Sequence, residues 1–123
     1  MFNHIMVGAD DIEVSRKFYD AILGELGYDP GHLDKKGRVW WRTETGVFGI
    51  TKPIDGELAS HGNGSTIGFL IDNIQAGDKW HEAGIANGGT ACEDPPGIRD
   101  NGYYLAYLRD PCGNKICALG KPE

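Results

Sequence analysis

The chain has 123 residues, of which 40% are hydrophobic and 24% charged, and its formal net charge is −6. These values predict one ordinary globular domain and disfavour nucleic acid or an anionic membrane as the main partner, because both need a basic surface. The start of the chain has no signal-peptide pattern, and no apolar run is long enough to span a bilayer. The three cysteines have no paired spacing, so we expect reduced thiols and a cytoplasmic protein.

A weak internal repeat organises the predicted elements. Residues 4–9 and 66–71 are predicted as short strands because they are apolar and partly alternating. Setting His4 against Thr66 gives an offset of 62 (66 − 4), and similar residue types then continue along both halves. The chain is therefore predicted to contain one structural unit twice.

A helix is predicted after each of these strands. Asp10 with Glu13, and Asp72 with Gln75, have the spacing of a capping box. Apolar residues recur every four positions in the first helix and predict one buried stripe: Val14, Phe18, Ile22 and Leu26. In the second helix this pattern is poorer, and Gly77 and Gly84 weaken the prediction. The helices are expected to end near Gly27 and Gly88–Gly89.

Two hairpins follow the helices. Residues 38–43 and 47–52 flank Thr45–Gly46, and residues 103–109 and 114–119 flank Asp110–Gly113, which suits a type I turn. Arg42 and Arg109 precede the two turns at an offset of 67 (109 − 42). Short strands near 28–33 and 90–94 complete each half. The predicted organisation is one domain over residues 1–123, with module one at 1–53, a linker at 54–63 and module two at 64–123.

This order and three motifs resemble the vicinal-oxygen-chelate superfamily of glyoxalases, bleomycin resistance proteins and extradiol dioxygenases. The motifs are His4–Val7, the helix segment from Ser15 to Tyr28, and Arg109–Ile116 with its Asp-Pro-x-Gly-Asn hairpin. The resemblance covers nearly the whole chain. It implies an α+β fold of two βαβββ modules, which form a cup-like, partly open eight-stranded mixed sheet with helices outside. It also implies a small-molecule ligand and a homodimer.

Catalytic members of that superfamily, lyases and dioxygenases among them, bind a divalent metal such as zinc, nickel, manganese or iron inside the cup. The repeat places the four ligand positions at His4, Gly49, Thr66 and Cys117. His4 is a standard ligand and Cys117 suits a soft metal as thiolate, whereas glycine has no side chain and threonine is a poor ligand. Since two ligands do not complete a catalytic metal site, we expect no metal cofactor.

Other roles remain open for the titratable residues. His4 is a candidate catalytic residue as a general base or a remnant ligand, and equally a hydrogen-bonded histidine on a strand. Cys117 is read first as a small buried hydrophobe. His32 and His61, in glycine-rich loops, are expected in solvent, with a recruited metal ligand as the alternative.

The strand aromatics are the better candidates for a binding site, because ligand pockets are mostly apolar and aromatic. Successive strand side chains alternate between faces, so one of Trp40 and Trp41, and one of Tyr103 and Tyr104, should face the cup. With these we predict Phe48, Thr66 and Cys117 as ligand-binding residues. Ordinary core packing is the competing interpretation, and we prefer it for Phe18 and Trp80.

Three functional hypotheses follow. The preferred one is a metal-independent small-molecule-binding protein, similar to the drug-sequestering bleomycin-resistance branch. The alternative is a divalent-metal-dependent lyase or dioxygenase that uses His4, Cys117 and a recruited His32 or His61. The third is a regulatory or assembly subunit whose dimer surface matters more than its cup.

Overall fold

The computed structural model describes residues 1–122 and contains two helices, α1 (Ile12–Gly24) and α2 (Ile74–Ala86). The strands of the first half are β1 (His4–Gly8), β2 (His32–Leu33), β3 (Val39–Thr43) and β4 (Gly46–Thr51). Those of the second half are β5 (Ile67–Ile71), β6 (Thr90–Ala91), β7 (Gly97–Ile98), β8 (Tyr104–Arg109) and β9 (Lys115–Gly120). The predicted α+β class with two βαβββ units is confirmed, with β7 as a short additional strand.

The strands form two separate mixed sheets. The N-terminal sheet has the order β1-β4-β3-β2, and the C-terminal sheet has the order β5-β9-β8-β6 with β7 also on β8. Met6 is the register partner of Gly49 in the first sheet, and Gly68 is the partner of Cys117 in the second. These pairs differ by 62 (68 − 6) and 68 (117 − 49), so the repeat predicted from the sequence is confirmed strand by strand.

Both sheets pack their helix-covered faces into one shared core. Phe48 on β4 contacts Phe69 on β5, with ring centroids 5.3 Å apart, and α1 packs against α2. Each helix packs on its own sheet, α1 on β4 and α2 on β8 and β9, and no strand pairing joins the two sheets within residues 1–122. The buried face of α1 consists of Ser15, Phe18, Tyr19, Ile22 and Leu23.

Three details of the helix predictions are corrected. Val14 is 48% exposed and lies off the buried stripe of α1. The N-cap of α1 is Asp11, which accepts from the Val14 backbone N–H at 3.2 Å, while Asp10 accepts from the Ala59 backbone N–H. The N-cap of α2 is Asn73 instead of Asp72. In both helices the capping residue lies one position later than the sequence pattern indicated.

The glycines of α2 are close-packing positions. A Cβ at Gly84 would lie 2.3 Å from Leu108 Cδ1 and 3.3 Å from side-chain atoms of Phe18 and Ile22. A Cβ at Gly77 would lie 2.2 Å from the ring of Tyr104. Glycine lowers intrinsic helix propensity, but here it lets α2 approach both β8 and α1.

The Asp110–Asn114 turn fastens the second module to the first. The Asp110 carboxylate, 4% exposed, accepts from the Tyr19 hydroxyl at 2.6 Å, from the Asn114 side-chain amide at 2.8 Å, and from the backbone N–H groups of Cys112 and Asn114. The same Asn114 amide donates to the Gly8 carbonyl oxygen at 2.9 Å. The turn motif therefore has a structural function, because it satisfies a buried carboxylate at the module junction.

The helices of residues 1–122 are all too short or too polar to cross a membrane.

Candidate ligand-binding site

Each sheet has one face on the helical core and one face turned away from it, which we call the open face. Because strand side chains alternate, the register pairs assign residues to each face. The open face of the N-terminal sheet carries His4, Met6, Trp40, Arg42, Val47, Gly49 and, on β2, His32. That of the C-terminal sheet carries Gly68, Leu70, Leu105, Tyr107, Arg109, Lys115, Cys117 and Leu119.

Trp40 is the centre of the N-terminal open face. Its indole N–H donates to Asp34 Oδ2 at 3.0 Å, and this bond is the main reason that the pKa of Asp34 is lowered. The His4 ring lies edge-on to it at 5.7 Å, and the Arg42 guanidinium carbon lies 5.7 Å from the ring centroid. A fixed aromatic ring with a cation beside it is a surface suited to binding a small molecule.

The four predicted metal-ligand positions do not fit a divalent ion. The Trp40 ring lies over Gly49, so that even a Cβ there would be 2.6 Å from it. A carboxylate side chain at this position would have to displace the indole. Thr66 is exposed and offers a neutral hydroxyl. Among residues 1–122, no three His, Cys, Asp or Glu side chains are grouped as a metal site would need.

Cys117 lies on the C-terminal open face and is only 6% exposed. Its Sγ is 3.2 Å from the position that a Cβ would take at Gly68, and its register partner on β8 is Tyr107. Lys115 lies 5.1 Å from the Tyr107 ring centroid and pairs with Glu93. Burial raises the pKa of the Cys117 thiol, and the smaller opposing effect is that of Lys115. A protonated thiol is a weak nucleophile and a poor metal ligand.

Three of the predicted ligand-binding aromatics lie in the core. Trp41, Phe48 and Tyr104 are 2%, 7% and 2% exposed, and all three point toward the helices. Tyr19 packs against Trp41 and Phe48, with ring centroids 5.7 and 4.7 Å apart. The Tyr104 hydroxyl donates to Asp78. These rings stabilise the packing of helix on sheet, as Phe18 and Trp80 do.

The other member of each aromatic pair is placed differently. Trp40 lies on the open face of its sheet. Tyr103 immediately precedes β8, is half-buried, and alternates with the core residue Tyr104. Alternation along the strand thus separated each pair as the sequence predicted, and it leaves Trp40 and Tyr103 as the candidates for ligand contact.

The four repeat-related positions are divided between the two sheets. His4 and Gly49 belong to the N-terminal open face, whereas Thr66 and Cys117 belong to the C-terminal side. The sequence predicts one common interior spot for the four positions, and the structure describes one half-site on each sheet.

The remaining histidines are also separated. His32 pairs with Trp40 across β2 and β3 and therefore shares the N-terminal open face. The His61 ring lies against Gly113 at the module junction. From the sequence alone, Arg42 is only a marker of the repeat. Its position two residues after Trp40 on a strand was the available signal that both share a face.

Comparison with protein families matches residues 1–118 to the Glyoxalase/Bleomycin resistance protein/Dioxygenase superfamily. The chain belongs to this superfamily. The resemblance read from the sequence motifs is thereby confirmed. Comparison with curated proteins gives no match.

Solved structures of the superfamily agree with this fold. A glyoxalase/bleomycin resistance protein from Albidiferax ferrireducens is 61% identical, with a TM-score of 0.94 over 99% of both chains. A glyoxalase-related enzyme from Fulvimarina pelagi is 17% identical, with a TM-score of 0.79 over 98% of this chain and 88% of its own. A lactoylglutathione lyase from Agrobacterium tumefaciens is 20% identical, with a TM-score of 0.69 over 98% and 92%. The last two show the fold alone.

Proposed function

We propose that this member of the superfamily is a cytoplasmic small-molecule-binding protein that acts without the usual metal ion. The observation that carries the proposal is the Trp40 ring lying over Gly49, one of the four ligand positions. At this position a flat aromatic ring occupies the place of a metal-ligating side chain. The three free cysteines support a reducing compartment.

The active form in this proposal is a homodimer. The edge strands β1 and β5 each have a neighbour on one side only, and Leu70 on β5 is 57% exposed. Unpaired edges and a half-covered sheet face are surfaces that proteins usually bury. Pairing of the N-terminal sheet of one chain with the C-terminal sheet of its partner would close two equivalent cups. Each cup would then contain Trp40 and His4 from one chain and Tyr107 and Cys117 from the other.

His4 is the group that we propose for any proton transfer in this cup. Its Nδ1 is 2.7 Å from Asn3 Oδ1, an acceptor, so Nδ1 carries the proton and Nε2 is left available as a base. The site is dominated by Trp40, so binding is the function that its surroundings support best, with catalysis as an addition.

A metal-dependent lyase or dioxygenase is the second candidate. It is favoured only by the position of His32 on the same open face as His4, where both could act with Cys117 of a partner subunit. Metal content separates the two candidates. We expect protein purified without chelator to hold far less than one divalent ion per chain and to be unchanged by His4→Ala.

The control for that measurement is His61→Ala, which changes a histidine outside both open faces. One tightly bound divalent ion per chain, lost in His4→Ala and retained in His61→Ala, would contradict the metal-free proposal and establish the second candidate. A regulatory subunit without a binding role would instead show no small molecule in native mass spectra and no saturable binding of aromatic probes.

A further inference from the structure

Charge is distributed unevenly between the strands and the rest of the chain. The protein has 18 acidic residues and a net charge of −6, yet none of the described Asp or Glu residues lies in a strand. Three strand residues are permanently charged, and all three are cations: Arg42, Arg109 and Lys115. Their register partners place all three on the open faces. The strands therefore carry only positive charge in a protein that is negative overall.

The cations differ in their hydrogen-bond and ion-pair partners. Lys115 is paired with Glu93, and Arg109 donates to the Gly113 carbonyl oxygen at 2.8 Å. The three arginines that lie outside the strands also donate hydrogen bonds to protein oxygens: Arg16, Arg38 and Arg99. Arg42 is the one arginine of residues 1–122 that has neither a hydrogen bond nor an ion pair. Its guanidinium lies over the Trp40 ring, 5.7 Å from the centroid.

An exposed guanidinium with no hydrogen bond or ion pair within residues 1–122, next to a fixed indole, is a two-part recognition element. We propose that the ligand is a small anion with a flat aromatic portion, whose acidic group pairs with Arg42 while its rings lie against Trp40. The proposal rests on the proposed binding function of the open faces and adds the chemical class of the ligand. Arg42 is then the residue that determines specificity for anions.

The chemistry of the neighbours agrees with this assignment. A guanidinium presents a planar fork that matches a carboxylate, sulfonate or phosphate group. Asp34 accepts hydrogen bonds from the Trp40 indole N–H and from the backbone N–H groups of Lys36 and Arg38. It therefore holds the ring in place, and within residues 1–122 no ion pair joins it to Arg42. A nucleic acid would meet the same chemistry, but the net charge of the chain opposes it.

Two probes with the same ring system test the proposal. Anilinonaphthalene sulfonate is an aromatic anion, and phenylnaphthylamine is the same molecule without its sulfonate. We expect the wild-type protein to bind the sulfonate about tenfold more tightly than the neutral probe, the effect of one charge-assisted hydrogen-bonded pair. Raising the salt concentration should weaken binding of the sulfonate and leave the neutral probe unchanged, because salt screens an exposed charge.

Three variants assign the effect to residues. Arg42→Gln should abolish the preference for the sulfonate and leave binding of the neutral probe intact, whereas Trp40→Leu should weaken both probes. Lys17→Gln removes the same charge from an exposed position on α1 and should match the wild type. Equal affinities for both probes in the wild type would overturn the anion proposal while leaving the binding function standing. Binding of neither probe would overturn both.

Discussion

At the scale of single residues, the buried carboxylate of Asp110 decides how the two modules meet. It accepts four hydrogen bonds from Tyr19, Cys112 and Asn114, and Asn114 in turn donates to Gly8. The sequence predicted a type I turn here from the order Asp-Pro-x-Gly. It did not predict the contact with Tyr19, because the partner is 91 positions away in the chain.

We predict that Tyr19→Phe lowers the unfolding free energy at neutral pH and makes it fall less steeply with pH in the alkaline range. At neutral pH the variant should lose about 2 kcal/mol of unfolding free energy, since a buried hydrogen bond to a carboxylate is removed. Burial, and then the Asp110 charge, raise the pKa of Tyr19 well above its usual value. Above about pH 10 the unfolded chain releases this proton and the folded chain keeps it, so stability falls with pH by up to about 1.4 kcal/mol per unit.

The variant should therefore lose stability less steeply than the wild type above that pH. Urea unfolding followed by circular dichroism, at neutral pH and at two alkaline pH values, measures both effects. Tyr104 and Tyr107 also have raised pKa values, so part of the fall of unfolding free energy with pH remains in both proteins. Equal slopes for wild type and variant would show that Tyr19 does not contribute to it.

At the scale of elements, strands and helices were predictable because their signals are local. The registers of β1 with β4 and of β5 with β9 reproduce the repeat offsets, and helix positions agree within a few residues. The separation of Trp40 from Trp41 followed from alternation alone. The close-packing role of the glycines in α2 could not be predicted from local pattern, because it depends on side chains from β8 and α1.

Two glycine substitutions should change stability in opposite directions. Gly84→Ala places a methyl group 2.3 Å from Leu108 Cδ1, and we expect a loss of about 1 to 2 kcal/mol, since overpacking outweighs the gain in helix propensity. Gly24→Ala, at the end of α1, meets no atom within 4 Å and should stabilise by up to about 1 kcal/mol. Thermal unfolding of both variants checks this. A Gly84→Ala protein as stable as Gly24→Ala would mean that α1 and α2 are not closely packed there.

At the scale of the whole molecule, the relation of the two sheets was the hardest feature to predict. The resemblance implied one cup, and the motifs do not say whether one chain or two chains close it. The answer depends on how α1 and α2 pack, which is a matter of tertiary contacts such as Phe18 and Ile22 against Gly84. In this chain those contacts join the two modules through their helices.

Leu70→Lys should convert the proposed dimer to a monomer. The substitution places a charge on the exposed side of the edge strand β5, where the partner sheet would pack. Light scattering after size-exclusion chromatography should report twice the chain mass for the wild type and once for the variant. Ile85→Lys, which charges a 45% exposed position on α2, is the matched control and should remain dimeric. A wild-type protein that is monomeric at all concentrations would refute the dimer.

The separation of open faces from the helical core bears on how this protein can change over evolutionary time. Substitutions at Trp40 or Arg42 alter a surface that contributes little to the packing around α1 and α2. New ligand preferences can therefore arise there while the free energy of folding stays nearly constant, so the usual conflict between acquiring an activity and staying folded is weak. One scaffold can in this way be inherited unchanged by proteins that recognise quite different molecules.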